Sequence, residues 1–286
     1  MTQNVLITGC SSGFGLLSAE RFARAGWKVH ASLRSPQKAA ALEKLKGEGL
    51  PIEIVELDVT EPKSVQNAVA AASAAEPIDA LVNNAGFEVS GPVEDLTDDL
   101  MLRQFDTNVA GVVRMVRAVV PAMRRRGSGR IINVSSVAGQ IASPFSGAYS
   151  ASKHALEALS ESLWYELRPF GVGVVLIEPG GFPTSFSSNI IEAPAQDASS
   201  PYEAMRTRFR EAMAGFSAGP PQDPKEVAAL VFQAATDPDP KLRMLAGDDA
   251  RMLVPLRQSL GFEGFSAAMI GRLGLADILP PPAAGG

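Results

Sequence analysis

Short apolar runs rich in β-branched residues alternate along this chain with longer segments whose apolar positions recur at helical spacing. NVLIT, residues 4–8, is the first such run; it ends at Gly9 and reads as a buried strand. Residues 14–25 are helical in pattern and stop at Gly26. WKVHASL reads as a strand, 36–46 as a helix, IEIVEL as a strand, 62–75 as a helix and DALVNN as a fourth strand. A long helix follows over about 98–126. It closes on Arg124, Arg125 and Arg126, cations suited to the negative end of a helix, before Gly127. RIINVSS is a fifth strand, 147–169 a further long helix, and VGVVLIEPGG a sixth strand closed by Pro179, Gly180 and Gly181. The rhythm breaks from 182 to 224 and resumes with a helix over 225–236 and a seventh strand in LRMLAG. Strand, helix, strand, helix in this order predicts an α/β fold, a seven-stranded parallel sheet with helices on both faces. No internal repeat or linker interrupts it, so residues 1–275 read as one domain. ADILPPPAAGG, residues 276–286, reads as a disordered tail.

Composition narrows the function more than the fold. The 286 residues are 46% hydrophobic and 20% charged, ordinary for a globular protein with a sizeable core. A net charge of −5 argues against a nucleic-acid or anionic-membrane surface. Cys10 is the single cysteine, so the chain has no internal disulfide and no cysteine metal cluster. No apolar run reaches the roughly 18 residues of a membrane span. The N-terminal residues pass straight into a strand without a basic leader, and the expected location is cytoplasmic.

TGCSSGFG, residues 8–15, admits two chemistries. Gly9-Cys10-Ser11-Ser12-Gly13 fits the nucleophile elbow of a serine hydrolase, with Ser11 as nucleophile. That fold needs an oxyanion loop upstream and an acid and a histidine downstream. Too little chain precedes the turn, and the histidines, His30 and His154, sit in a strand and early in a helix. A phosphate-binding turn fits better. It follows the first strand and opens a helix, so backbone N–H groups and the positive helix end meet a pyrophosphate. Gly9, Gly13 and Gly15 permit the tight turn and close packing.

Other segments recur in a fixed order: NNAG at 83–86, Asn108, Ser135-Ser136, Tyr149-Ser150-Ala151-Ser152-Lys153, and Pro179-Gly180 with Thr184 four residues on. Over roughly residues 3–250 the chain resembles the short-chain dehydrogenase/reductase family. VLITGCSSGFG, ASLR, GPVE, RRRGSGRI and ASKHALE resemble the 17β-hydroxysteroid dehydrogenase type 1 and retinol dehydrogenase branch. The resemblance implies a doubly wound Rossmann fold and an NADP(H)- or NAD(H)-dependent oxidoreductase. It also implies a homodimer or homotetramer.

It assigns roles residue by residue. Moving a hydride to or from a nicotinamide requires a proton carrier at the substrate oxygen, and Tyr149 is that candidate. Free tyrosine titrates near ~10; Lys153, one turn later on the same helix face, lowers a neighbouring acid's pKa and binds the nicotinamide ribose. Ser136, thirteen residues ahead of Tyr149, hydrogen-bonds the substrate oxygen in preference to Ser135. Asn108 holds a water of the proton relay. Gly9, Ser11, Ser12, Gly13, Phe14 and Gly15 form the phosphate turn. Asp58 and Val59 approach adenine, Asn84, Ala85 and Gly86 line the adenosine ribose, and Pro179, Gly180 and Thr184 meet the nicotinamide. After the second strand, where NAD enzymes place an acid, stand Leu33 and Arg34; an arginine favours the 2′-phosphate of NADP.

Residues 182–224 carry Phe186, Ile190, Ile191, Met205, Phe209, Met213 and Phe216, more apolar side chains than a loop usually exposes. They read as a lid over a bulky, largely apolar substrate, a steroid, retinoid or aryl ketone, with Phe145, Phe182 and Phe87 adding to the pocket. The alternatives are a helix pair packed on the domain, a dinucleotide-sensing regulator without catalysis, and a sugar epimerase or dehydratase.

Overall fold

Alternating side chains on each strand feed two separate cores, and this decides the layering. The computed structural model describes residues 2–194, 200–216 and 221–279. The strands are β1 (Asn4–Ile7), β2 (Lys28–Leu33), β3 (Ile52–Glu56), β4 (Ala80–Asn83), β5 (Val89–Ser90), β6 (Gly129–Val134), β7 (Val172–Pro179), β8 (Ile191–Glu192) and β9 (Arg243–Ala246). The helices are α1 (Gly13–Arg24), α2 (Ala40–Gly47), α3 (Pro62–Ala72), α4 (Asp98–Phe105), α5 (Gly111–Arg126), α6 (Gly147–Leu167), α7 (Glu203–Phe216), α8 (Lys225–Thr236) and α9 (Asp248–Arg272). Val5, Ile7, Val29, Ala31, Val82, Ile132 and Val175 point into one core, with Phe22 of α1 and Val227 and Val231 of α8. Leu6, Leu81, Ile131 and Val174 point into the other, with Val65 of α3 and Met115 and Met123 of α5. Period-two side chains with apolar residues on both faces require helices on both faces.

Among the described residues seven strands form one parallel sheet in the order β3-β2-β1-β4-β6-β7-β9. The chain winds outward from β1 to β3, then returns to β4 on the other side of β1. Ligands of such sheets bind outside the strand C-termini at this reversal. The Gly9 turn, Asn84, Ser136 and Gly180 all lie just past those C-termini.

Several elements differ from the sequence reading. The expected helix over 98–126 is interrupted at Asp106–Ala110 by one wider π-helical turn. Arg114 braces that turn, donating to the Asp106 carboxylate at 2.6 Å and to the Asp106 and Val59 carbonyls at 3.2 and 3.3 Å. β5 and β8 pair as a small separate sheet, too short to register as apolar runs. The stretch 182–224 is partly regular, holding β8 and α7; the side chain of Phe216 lies outside the described residues. α9, unassigned in the sequence, has a weak helical pattern because it holds Pro255 and bends at Gly261, φ 68°. Of the expected tail, 276–279 continue as a turn in which Ile278 and Leu279 donate to the Leu275 carbonyl. Residues 280–286 lie outside the described residues. Among the described residues no helix is long and apolar enough to cross a membrane, and no group of His, Cys, Asp or Glu could hold a metal ion.

Candidate active site

The turn after β1 is shaped by what its glycines exclude. Gly9 and Gly13 adopt positive φ, 75° and 56°. A Cβ on Gly15 would lie 2.3 Å from the Gly9 carbonyl oxygen, so α1 starts against the strand end as closely as backbone allows. Asn84 pins the turn from β4: its Nδ2 donates to the Thr8 and Gly9 carbonyls at 2.9 and 3.0 Å. Thr8 Oγ1 in return accepts the Asn84 and Ala85 N–H groups. Ser12, the residue before α1, does not cap the helix, and no acid stands in its first turn. The leading amides of α1 therefore keep their donors and the positive helix end for a ligand. A glycine cradle with unclaimed amides fits a dinucleotide pyrophosphate.

Across the cleft, α6 brings Tyr149 and Lys153 onto one face, both buried. Tyr149 shares a hydrogen bond with Ser136, whose Oγ also accepts the Ala138 N–H at 3.1 Å. Burial pushes the phenol well above its ordinary range; the Ser136 bond opposes that shift, while the Glu88 carboxylate adds to it. Lys153 Nζ donates to the Val134 carbonyl at 2.8 Å and lies 5.6 Å from the Tyr149 ring centre. Burial lowers Lys153 to about 8, with Glu157 pulling the other way. Ser135, the rival serine, turns away: its Oγ is buried without a partner, and its N–H donates to the Ile177 carbonyl.

Asn108 occupies the π-helical turn and ties the loop after β4 to α6. Its Oδ1 accepts the Phe87 N–H at 3.2 Å, and its Nδ2 donates to the Phe87 carbonyl at 3.0 Å and to Ser152 Oγ at 3.1 Å. A Cβ on Gly86 would sit 3.1 Å from Asn108 Oδ1. The wider turn delivers a buried amide to the loop after NNAG that a regular helix would aim elsewhere.

The loop after β7 closes over both halves. Ser185 Oγ donates to Ser12 Oγ at 2.7 Å, Thr184 faces Gly13, and the Phe186 ring lies 5.8 Å from that of Tyr149. Phe145, at φ 65°, meets Phe209 of α7 at 6.1 Å. Phe182 is reassigned: it packs edge-on against Phe14, 5.6 Å away, and belongs to the α1-side core. The ring must fill the space where β7 passes α1, so both aromatics serve packing there. Arg206 and Arg210 pair with Glu192, Arg208 pairs with Asp277, and Arg206 also bonds Glu203.

At the other end, Arg34 is exposed after β2, and Leu33 is buried in register with Glu56 at the end of β3. Asp58 Oδ1 accepts from the Thr60 N–H and hydroxyl at 2.9 and 2.7 Å, and Val59 packs under Gly111. Gly180 and Gly181 are held from α9: a Cβ on Gly180 would overlap Asp249, which accepts the Gly181 N–H at 2.6 Å. Sequence reasoning missed three contributors, Glu88, Ser152 and Asp249. Glu88 accepts from Ser146 Oγ at 2.5 Å at the start of α6. A polar residue next to NNAG or inside YSASK carried that signal without a direction.

A family model described as short chain dehydrogenase matches residues 3–195. Human 17-beta-hydroxysteroid dehydrogenase type 1 is 39% identical over 274 residues, 90% of this chain and 80% of that protein. The solved structure of a short-chain dehydrogenase from Streptomyces avermitilis superposes with a TM-score of 0.80 at 31% identity, covering 96% of this chain and 98% of that one. A short chain dehydrogenase/reductase from Burkholderia phymatum, solved in complex with NAD, gives 0.77 at 29% identity, covering 90% and 94%.

Proposed function

Because this chain belongs to the short-chain dehydrogenase family, an oxidoreductase family, we propose that it interconverts a secondary alcohol and a ketone or aldehyde on a bulky, largely apolar substrate, using NADP(H). The observation that carries the chemistry is half-buried Ser136 set against the buried Tyr149 and Lys153. A bound reduced nicotinamide supplies the hydride. Ser136 and Tyr149 hydrogen-bond the carbonyl oxygen, where charge develops. Tyr149, kept neutral by burial, gives that oxygen its proton. Lys153, protonated below about 8, steadies the resulting phenolate and holds the ribose. Asn108 and Ser152 keep the back of the site polar for proton return.

Arg34 supports NADP(H). It is exposed past β2, where its guanidinium is open to a 2′-phosphate. Phe186 over Tyr149 and Phe145 against Phe209 support an apolar substrate beneath the 182–224 stretch. The arginines of α7 are already paired with acids, which argues against a small anionic substrate. The test is turnover of NADPH and of NADH with neutral ring ketones and with small keto acids. Fastest turnover is expected for NADPH with a bulky neutral ketone. Equal kcat/KM for the two cofactors refutes the cofactor choice, and faster turnover of keto acids refutes the substrate class. Cofactor binding without any turnover would favour a dinucleotide-sensing protein.

A further inference from the structure

Behind Lys153 lies a second group of buried charges that the chemistry above does not use. Glu157 stands one helical turn after Lys153 on α6 and is 4% exposed; Glu178, on β7, is 1% exposed. The two carboxylates share their donors. Arg243 Nε lies 3.0 Å from Glu157 Oε2 and 3.1 Å from Glu178 Oε1. Gln140 Nε2 lies 3.3 Å from each of the same oxygens. Arg243 Nη2 pairs with Glu161, at 2.6 Å. That leaves Glu157 Oε1 and Glu178 Oε2 buried with no donor. Ser135 Oγ, also unpartnered, flanks Gly139 beside Glu157: a Cβ there would lie 2.9 Å from Ser135 Oγ and 3.2 Å from Glu157 Oε1.

Two buried acceptors against one shared guanidinium cannot both stay ionised at neutral pH; a proton on one of them supplies the missing donor. Burial and the Glu157 charge push Glu178 up to about 8, whereas Arg243 and Gln140 oppose the shift. The pair then presents one negative charge behind Lys153. The groups facing Glu157 are Lys153 and Glu161 of α6, Ser135 and Gln140 after β6, Glu178 of β7 and Arg243 of β9. Of these, the charge of Glu157 is the one that favours the protonated form of Lys153 against burial.

We propose that Glu157 is the positioning residue that keeps Lys153 charged, and that Glu178 carries a proton so that one negative charge stands behind the lysine. The role rests on the catalytic reading of Lys153. A merely structural cluster would tie β9 to α6 and leave the lysine's titration alone.

The test is a nitrogen-15 NMR titration of the Lys153 amine in the full chain, assigned with Lys153→Arg, alongside the pH profile of kcat. Glu157→Gln keeps the shape and an acceptor for Arg243 but removes the charge. It should lower the Lys153 pKa and the alkaline limb of kcat together, by on the order of one pH unit. Glu178→Gln mimics the protonated partner and should leave both in place near neutral pH. It should also turn the broadened wild-type curve, in which Glu178 loses its proton over the same range, into a single step. That last comparison decides even if Glu157→Gln does not fold. Glu157→Asp should restore the wild-type pKa. Equal shifts in Glu157→Gln and Glu178→Gln, or none in either, together with an unchanged curve shape in Glu178→Gln, overturn the proposal. If the NMR titration behaves as expected while no ketone is turned over, the functional reading fails alone.

Discussion

Gly15→Ala tests the cradle on which cofactor binding depends. The added methyl would lie 2.3 Å from the Gly9 carbonyl oxygen, 2.5 Å from Asn84 Nδ2 and 2.9 Å from the Gly9 carbonyl carbon. Two of those atoms are backbone, and the amide is fixed by two hydrogen bonds, so α1 itself must shift. Overpacking of this kind costs about 1–3 kcal/mol, and so close an approach belongs at the upper end. The helix propensity gained by alanine returns about 1 kcal/mol. A net loss of about 2 kcal/mol corresponds to a Tm lower by roughly 3–4 °C in a chain of this size. Gly47→Ala is the matched control: it ends α2, and its Cβ would meet nothing within 4 Å. It should hold or raise Tm. Thermal unfolding and a fluorescence titration with NADPH read both effects. Gly15→Ala should weaken NADPH binding more than tenfold and Gly47→Ala should not change it. Wild-type stability and wild-type NADPH affinity in Gly15→Ala would refute the reasoning.

Tyr149→Phe should lower kcat by orders of magnitude with NADPH binding retained; more than about a tenth of the wild-type kcat remaining would exclude Tyr149 as the acid. Arg34→Ala should raise KM for NADPH and leave KM for NADH, measured as the ratio of kcat/KM values. Lys153 titrates at about 8 in the folded chain, below the unfolded value of ~10.4. Between those values the unfolded chain binds the extra proton, so this group makes stability rise with pH. Lys153→Met should remove that slope, read by urea unfolding at the two ends of the window. Asn108→Ala should lower kcat and also loosen the loop after NNAG, because Phe87 loses both of its bonds to that amide; hydrogen exchange at Phe87 reads the second effect.

The layered sheet was legible because each strand carries its own apolar run and each helix its own stop. β1 through β4 needed nothing from outside their own residues. β5 and β8 were not legible: two-residue strands carry no periodicity, and Gly91 after β5 leaves room for Ala193 just past β8. The break at Asp106–Ala110 was hidden for a different reason: Asp106, Thr107, Asn108 and Val109 are weak helix formers, but a short weak run inside a long helical pattern does not specify a π turn, and Arg114 lies eight positions away from the Asp106 it braces. Most of the site was readable because its residues stand next to strand ends. Ser136 over Ser135 was chosen on the family resemblance; in the structure Ser136 Oγ accepts the Ala138 N–H, while Ser135 Oγ is buried without a partner. Phe182 misled because one apolar residue in a polar stretch looks the same whether it faces a substrate or Phe14. Glu157 and Glu178 carried no readable signal, because a buried pair is defined by the contact between α6 and β7, which no local pattern encodes.

The most direct test of the central claim is NADPH consumption with a bulky neutral ketone by wild type and Tyr149→Phe, at matched cofactor saturation and with the alcohol product identified. The account predicts stoichiometric alcohol formation by wild type and loss of turnover, with cofactor still bound, in the variant. Equal turnover by both proteins, or binding of NADPH with no alcohol formed by wild type across the whole ketone series, would contradict it.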